Sequence, residues 1–144
     1  MKRKFILAHM KVAEVYSELS SAKRLKVGAV IVKNDTIIGI GYNGMPSGWT
    51  NHCEDLITPI EGDAPTLKTK PEVIHAESNA ISKVAKSTNS TEGSYMFVTH
   101  APCLDCAKLI HQSGITRVYY KNSYRSDDGV KFLEKCGVKI MNIE

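Results

Sequence analysis

Two short segments carry the residues best suited to chemistry. His75-Ala76-Glu77 offers an imidazole and, two positions on, a carboxylate. Pro102-Cys103-Leu104-Asp105-Cys106 offers two thiols three positions apart, directly behind a proline. One His and two Cys are ligands that zinc accepts, and a three-ligand site leaves the fourth tetrahedral corner to water. Zinc draws the pKa of such a water down towards about 7, so hydroxide becomes available near neutral pH. Glu77 then stays off the metal and moves protons. The bland reading is a structural zinc closed by a fourth protein ligand, from Asp105 or His100, with Glu77 an ordinary helix-start carboxylate. C-x-x-C alone also marks zinc fingers and redox sites, and H-x-E alone is weaker still. The two in this order, with one strand between them, are far more specific.

The elements that must position these residues follow from the apolar pattern. Phe5, Ala8, Val12, Val15, Tyr16 and Leu19 share one helical face, which predicts an amphipathic helix from residue 2 to about 20. Residues 27–32 and 36–42 are nearly continuous apolar runs joined by the turn chemistry of Asn34-Asp35. They predict an antiparallel hairpin in the sheet interior. Residues 43–73 are broken repeatedly by Gly and Pro and show no period. A loop of this length is usually functional or mobile, and residues 56–73 read as a lid or a surface insertion.

Ala76, Ala80, Ile81, Val84 and Ala85 restore the helical period, placing His75 and Glu77 in a first turn. Strands are predicted over 95–99, 117–120 and 138–141, and helices from about Cys103 to Gly114 and over 127–135. Strands alternating with helices imply parallel crossovers. The expectation is an α/β domain of three α/β/α layers, with a five-stranded mixed sheet between the helices. In such sheets, sites gather where helix N-termini face strand ends. Two helices meeting mouth to mouth would bring His75, Glu77, Cys103 and Cys106 together, and their positive dipole ends favour thiolates.

The chain has 144 residues, 42% of them hydrophobic and 24% charged, with a formal net charge of +4. That is one globular domain rather than a disordered chain. Lys2-Arg3-Lys4 leads into a segment carrying Lys11, Glu14 and Glu18, not into an apolar signal core, so a soluble cytoplasmic protein is expected. The four cysteines could form two disulfides. A reducing compartment and the C-x-x-C spacing instead favour metal for Cys103 and Cys106 and free thiols for Cys53 and Cys136. Glu54, Asp55, Glu61 and Asp63 make the long loop acidic, which speaks against a nucleic-acid partner.

With these motifs in order, the chain resembles the cytidine/deoxycytidylate deaminase superfamily, in which H-x-E…P-C-x-x-C is the known signature. The resemblance extends through residues 27–32, Tyr42-Asn43-Gly44-Met45-Pro46 and residues 75–81, and covers most of 2–141. The Tyr-Asn-Gly-x-Pro loop and Asn79 are similar to the deoxycytidylate branch rather than to the tRNA adenosine or free-cytidine deaminases. The resemblance implies a cytidine-deaminase-like fold and hydrolysis of dCMP to dUMP and ammonia through a zinc-held hydroxide, supplying thymidylate synthesis. By position it implies that His75, Cys103 and Cys106 bind zinc and that Glu77 shuttles protons. Asn43 would contact the nucleotide sugar, and the backbone around Ala76 and Thr99 would read the pyrimidine edge. Asn79 would contact substrate or satisfy nearby backbone.

The 5′-phosphate needs donors; Arg24, Lys26 and Arg125 are candidates, each equally a solvated surface charge. The resemblance also implies a homo-oligomer, commonly a hexamer, with dCTP as activator, dTTP as inhibitor and Mg2+ accompanying the triphosphate. A second zinc through His52, Cys53 and His100 is not expected, because no Cys lies near residues 19 to 26 to complete it. Two alternatives stand beside this reading: a deaminase of a nucleic-acid base (tRNA adenosine or single-stranded DNA cytosine), and a non-catalytic zinc module.

Overall fold

Side-chain alternation along the strands decides which helices cover which face of the sheet. The computed structural model describes residues 1–59 and 61–144. In chain order the elements are α1 (Arg3–Ser17), β1 (Gly28–Lys33), β2 (Thr36–Tyr42), β3 (Glu54–Ile57), β4 (Thr66–Thr69), α2 (Ala76–Ala85), β5 (Tyr95–His100), α3 (Leu104–Gln112), β6 (Arg117–Asn122), α4 (Asp128–Lys135) and β7 (Lys139–Asn142). Five strands form one mixed sheet in the order β2-β1-β5-β6-β7. β1 runs antiparallel to both neighbours, while β5, β6 and β7 are parallel. Parallel neighbours need crossovers, and α3 and α4 supply them.

Ala29, Ile31, Met96, Val98 and Val118 point to one face, where they pack with Ala80, Val84, Ala107, Ile110 and Leu133. Val30, Val32, Phe97 and Tyr119 point to the other and meet Met10 and Ala13 of α1. The Phe97 and Tyr119 rings stack there, 4.8 Å between centroids and 9° apart in plane. One helix thus covers one face and three cover the other, which is the expected α/β/α layering.

The β1–β2 hairpin turns through Asn34 (φ 50°) and Asp35 (φ 60°), two residue types that tolerate the left-handed region a two-residue turn demands. β1 is interior, as expected, but β2 is the edge strand. The apolar run of β2 reflects cover by α2 rather than a further strand. Gly41 lies so close to α2 that a Cβ there would run into the backbone of Ala76 and Ala80.

The stretch 43–73 is not structureless. β3 and β4 form a separate antiparallel pair, with Glu54 opposite Thr69 and Ile57 opposite Thr66. These strands are four residues long and mostly exposed, so no buried period marks them in the sequence. α1 ends at Ser17, somewhat before the predicted limit. His75 stands at the N-cap of α2 rather than inside its first turn, and Cys103 at the N-cap of α3. All four cysteines are free thiols. Among the described residues no helix is long and apolar enough to cross a membrane.

The contact at Gly41 can be tested. Gly41→Ala forces α2 away from the sheet at a cost of about 1–3 kcal/mol, as for overpacked cores. A thermal melt should show Tm falling by roughly 3–10 °C; an unchanged Tm would mean that α2 is not seated this tightly.

Candidate active site

Neither N-cap residue caps its own helix. The side chains of His75 and Cys103 make no cap hydrogen bond, which leaves both free to face each other. His75 Nδ1 lies 3.3 Å from Cys106 Sγ and 3.6 Å from Cys103 Sγ. All three donor atoms fall within 4.8 Å of one another. A tetrahedral zinc with ordinary Zn–N and Zn–S bonds would put its N and S ligands about 3.6 Å apart. The donor set therefore fits zinc in type and in spacing.

Among the described residues, Asp105 and His100 stand outside this donor group. The Asp105 side chain is 92% exposed and pairs loosely with Lys108. His100 Nδ1 is instead 2.9 Å from Thr99 Oγ1. Nothing in the group offers the closed four-ligand shell that a structural site needs. Cys53 is buried with its Sγ 3.4 Å from Ser21 Oγ, and the described residues hold no second metal-ligating group.

Glu77, in the first turn of α2, is only 5% exposed. Burial outweighs the pull of His75 and lifts its carboxyl to about 7. The Cys103 thiol is held down to about 4 by the hydrogen bond from Cys106 and by His75. The Cys106 thiol is pushed up, first by its hydrogen bond to Cys103 and then by burial. His75 is raised, chiefly by its hydrogen bond to Cys103. The cluster thus biases Cys103 towards the thiolate form that a metal would take, and burial raises the neighbouring Glu77 carboxyl.

A cavity of about 510 Å³ opens on this cluster. Of the residues singled out from the sequence, its wall includes His75, Ala76, Glu77, Cys103, Asn43, Arg24 and Arg125. Cys106 lies buried at the cluster, outside the lining. Lys26, Asn79 and Thr99 are also outside it. Asn79 Nδ2 donates to the Tyr42 carbonyl at 3.2 Å. Thr99 Oγ1 accepts the Gly28 N–H at 3.2 Å, and the Thr99 carbonyl accepts from Asn122 Nδ2 at 2.9 Å. Asn43 grips the chain beside the cavity: its Oδ1 accepts the Val27 N–H at 2.9 Å, and its Nδ2 donates to the Leu25 carbonyl at 2.8 Å. Sequence reasoning did not place Glu54, Thr69, Asn122 or Tyr124 in the wall. Each comes from a segment distant along the chain, so no short spacing signals it.

Comparisons with known proteins agree with this geometry. A family model described as the cytidine and deoxycytidylate deaminase zinc-binding region matches residues 3–122. The chain is 39% identical over 126 residues to ComE operon protein 2 of Bacillus subtilis (strain 168), covering 87% of this chain and 64% of that one. It is 35% identical over 172 residues to the deoxycytidylate deaminase of Enterobacteria phage T4, covering 93% of this chain and 87% of the phage protein. The crystal structure of the dCMP deaminase from cyanophage S-TIM5, in complex with dCMP and dUMP, superposes with a TM-score of 0.87 at 46% identity over 99% of both chains. Such a match, across nearly the full sheet and its helices, makes the chain a member of the cytidine and deoxycytidylate deaminase family.

Proposed function

We propose that this chain is a zinc-dependent deaminase that hydrolyses dCMP to dUMP and ammonia. The observation that carries the proposal is Glu77. It is a buried carboxyl, raised by desolvation, that stands outside the three-donor group yet lines the same cavity as His75 and Cys103. His75, Cys103 and Cys106 would hold the metal. Bound there, zinc supplies a Lewis acid that makes water acidic near neutral pH.

Glu77 does the proton work. Its carboxylate accepts one proton from water and passes it to the ring nitrogen as the water oxygen bonds to the amine-bearing carbon; it then takes the remaining proton from that hydroxyl and gives it to the amine, so that the C–N bond breaks and ammonia leaves. Burial makes this reversible: the charged form is costly enough that the carboxyl gives and takes protons at similar free energy. Ala76 brings main chain to the wall for the pyrimidine edge, and Asn43 braces the segment beside the sugar. Arg24 and Arg125 are the cations in the wall for the 5′-phosphate.

The reading extends to one deaminase domain over 1–144 with residues 56–73 as an insertion. It includes a cytoplasmic homo-oligomer, a hexamer by resemblance, with dCTP and dTTP as effectors and Mg2+ alongside them. Val15, Leu19 and Leu56, each at least 60% exposed, give the chain apolar surface that suits assembly.

Two measurements test the proposal. Glu77→Gln keeps the shape and the metal ligands, so zinc should remain stoichiometric while ammonia release from dCMP falls about 10²–10⁴-fold; an active variant would remove Glu77 from the mechanism. On a panel of dCMP, cytidine, tRNA and single-stranded DNA, dCMP should be the preferred substrate. Turnover of a polynucleotide with none of dCMP would establish the nucleic-acid alternative instead. Separately, stripping the metal with a chelator should abolish ammonia release and added zinc should restore it; undiminished release from metal-free protein would refute the zinc requirement.

A further inference from the structure

Arg24 reaches the cavity wall from a segment without regular structure, so something outside that segment must fix where its guanidinium points. The β3–β4 hairpin does this. Glu54 Oε2 accepts the backbone N–H groups of both Lys23 (2.8 Å) and Arg24 (2.9 Å). Thr69, the register partner of Glu54, accepts a hydrogen bond from Arg24 Nη1 through its Oγ1 at 3.1 Å. Ser21 and Cys53 touch at 3.4 Å on one side of these contacts, and Asn43 grips Leu25 and Val27 on the other. Arg24, Glu54 and Thr69 all line the cavity.

The chemistry of the clamp matters as much as its geometry. The Glu54 carboxylate is satisfied by main-chain amides, and the guanidinium is steadied by a neutral hydroxyl. Among the described residues Arg24 belongs to no ion pair. Its charge is therefore oriented without being neutralised, which suits it to an incoming anion. A guanidinium already ordered also loses less rotamer freedom when it meets that anion.

We infer that Glu54 and Thr69 are positioning residues that aim Arg24 at the 5′-phosphate, making the hairpin a determinant of nucleotide binding. The inference rests on the dCMP reading above. It assigns a role to the two strands that the sequence pattern leaves unmarked.

The test is steady-state kinetics on zinc-loaded enzyme with dCMP. Thr69→Val removes the acceptor at nearly constant volume and should raise KM roughly five- to tenfold, the size of one ordinary net hydrogen bond. kcat should stay within about twofold, because the missing contact is made equally in ground and transition states. Thr69→Ser should restore KM. In a double-mutant cycle, Arg24→Gln with Thr69→Val should bind dCMP no worse than Arg24→Gln alone. An unchanged KM in Thr69→Val, a fall in kcat alone, or additive penalties in the cycle would each overturn the inference while leaving the substrate assignment intact. A wild-type enzyme inert on dCMP would overturn both.

Discussion

Two helices that begin 28 residues apart have to open onto one point in space. α2 is pressed against β2 and α3 emerges from β5, so the pairing of the sheet strands brings His75 and Cys103 face to face. Because neither side chain caps its helix, the first-turn amides and their positive dipole ends remain directed at the cluster. That field favours anionic sulfur, and Cys103 is acidic there chiefly through its hydrogen bond with Cys106 and then through His75. Glu77 sits in the same field and beside His75, yet its carboxyl is raised. Desolvation therefore outweighs both its backbone hydrogen bond and His75, and the fold holds a carboxyl near neutrality where a surface carboxylate would have stayed ionised.

Packing on either side of the cluster holds this alignment. The Gly41 contact lets the backbone of α2 approach β2 at Ala76 and Ala80, the turns next to His75 and Glu77. On the far side, a Cβ on Gly129 would meet the carbonyls of Pro102 and Cys103, so the first turn of α4 presses directly on the thiol-bearing loop. Displacing either backbone by a methyl group would move a ligand relative to its partners, and a site of this kind tolerates little movement.

The sequence is informative where function depends on close neighbours. The Cys103–Cys106 spacing at a helix start, the helical period of 76–85 and the apolar runs of β1 and β5 are local facts, and the structure realises each of them. It is less informative where a contact joins distant segments. β2 and β1 have similar apolar runs, but only the strand order makes one of them an edge, and α2 cover accounts for its apolar residues. Glu54 was legible as an acidic loop residue, not as an acceptor for amides some thirty positions away. Arg24 and Lys26 are two residues apart in an irregular segment, and nothing in their types distinguishes the one at the wall. Asn79 and Thr99 spend their hydrogen bonds on Tyr42, Gly28 and Asn122, a use that only the folded backbone reveals.

The division of the donors between two elements has one more consequence. An ion held by His75 at the start of α2 and by two thiols at the start of α3 would be a cross-link between those helices, closing a loop of chain that the unfolded state leaves open. Whatever free energy it gains by binding only the folded form is added to the stability of the fold. A bound ion would thus fasten the two helices together as well as serve the chemistry, and oxidation of the two thiols would undo both at once.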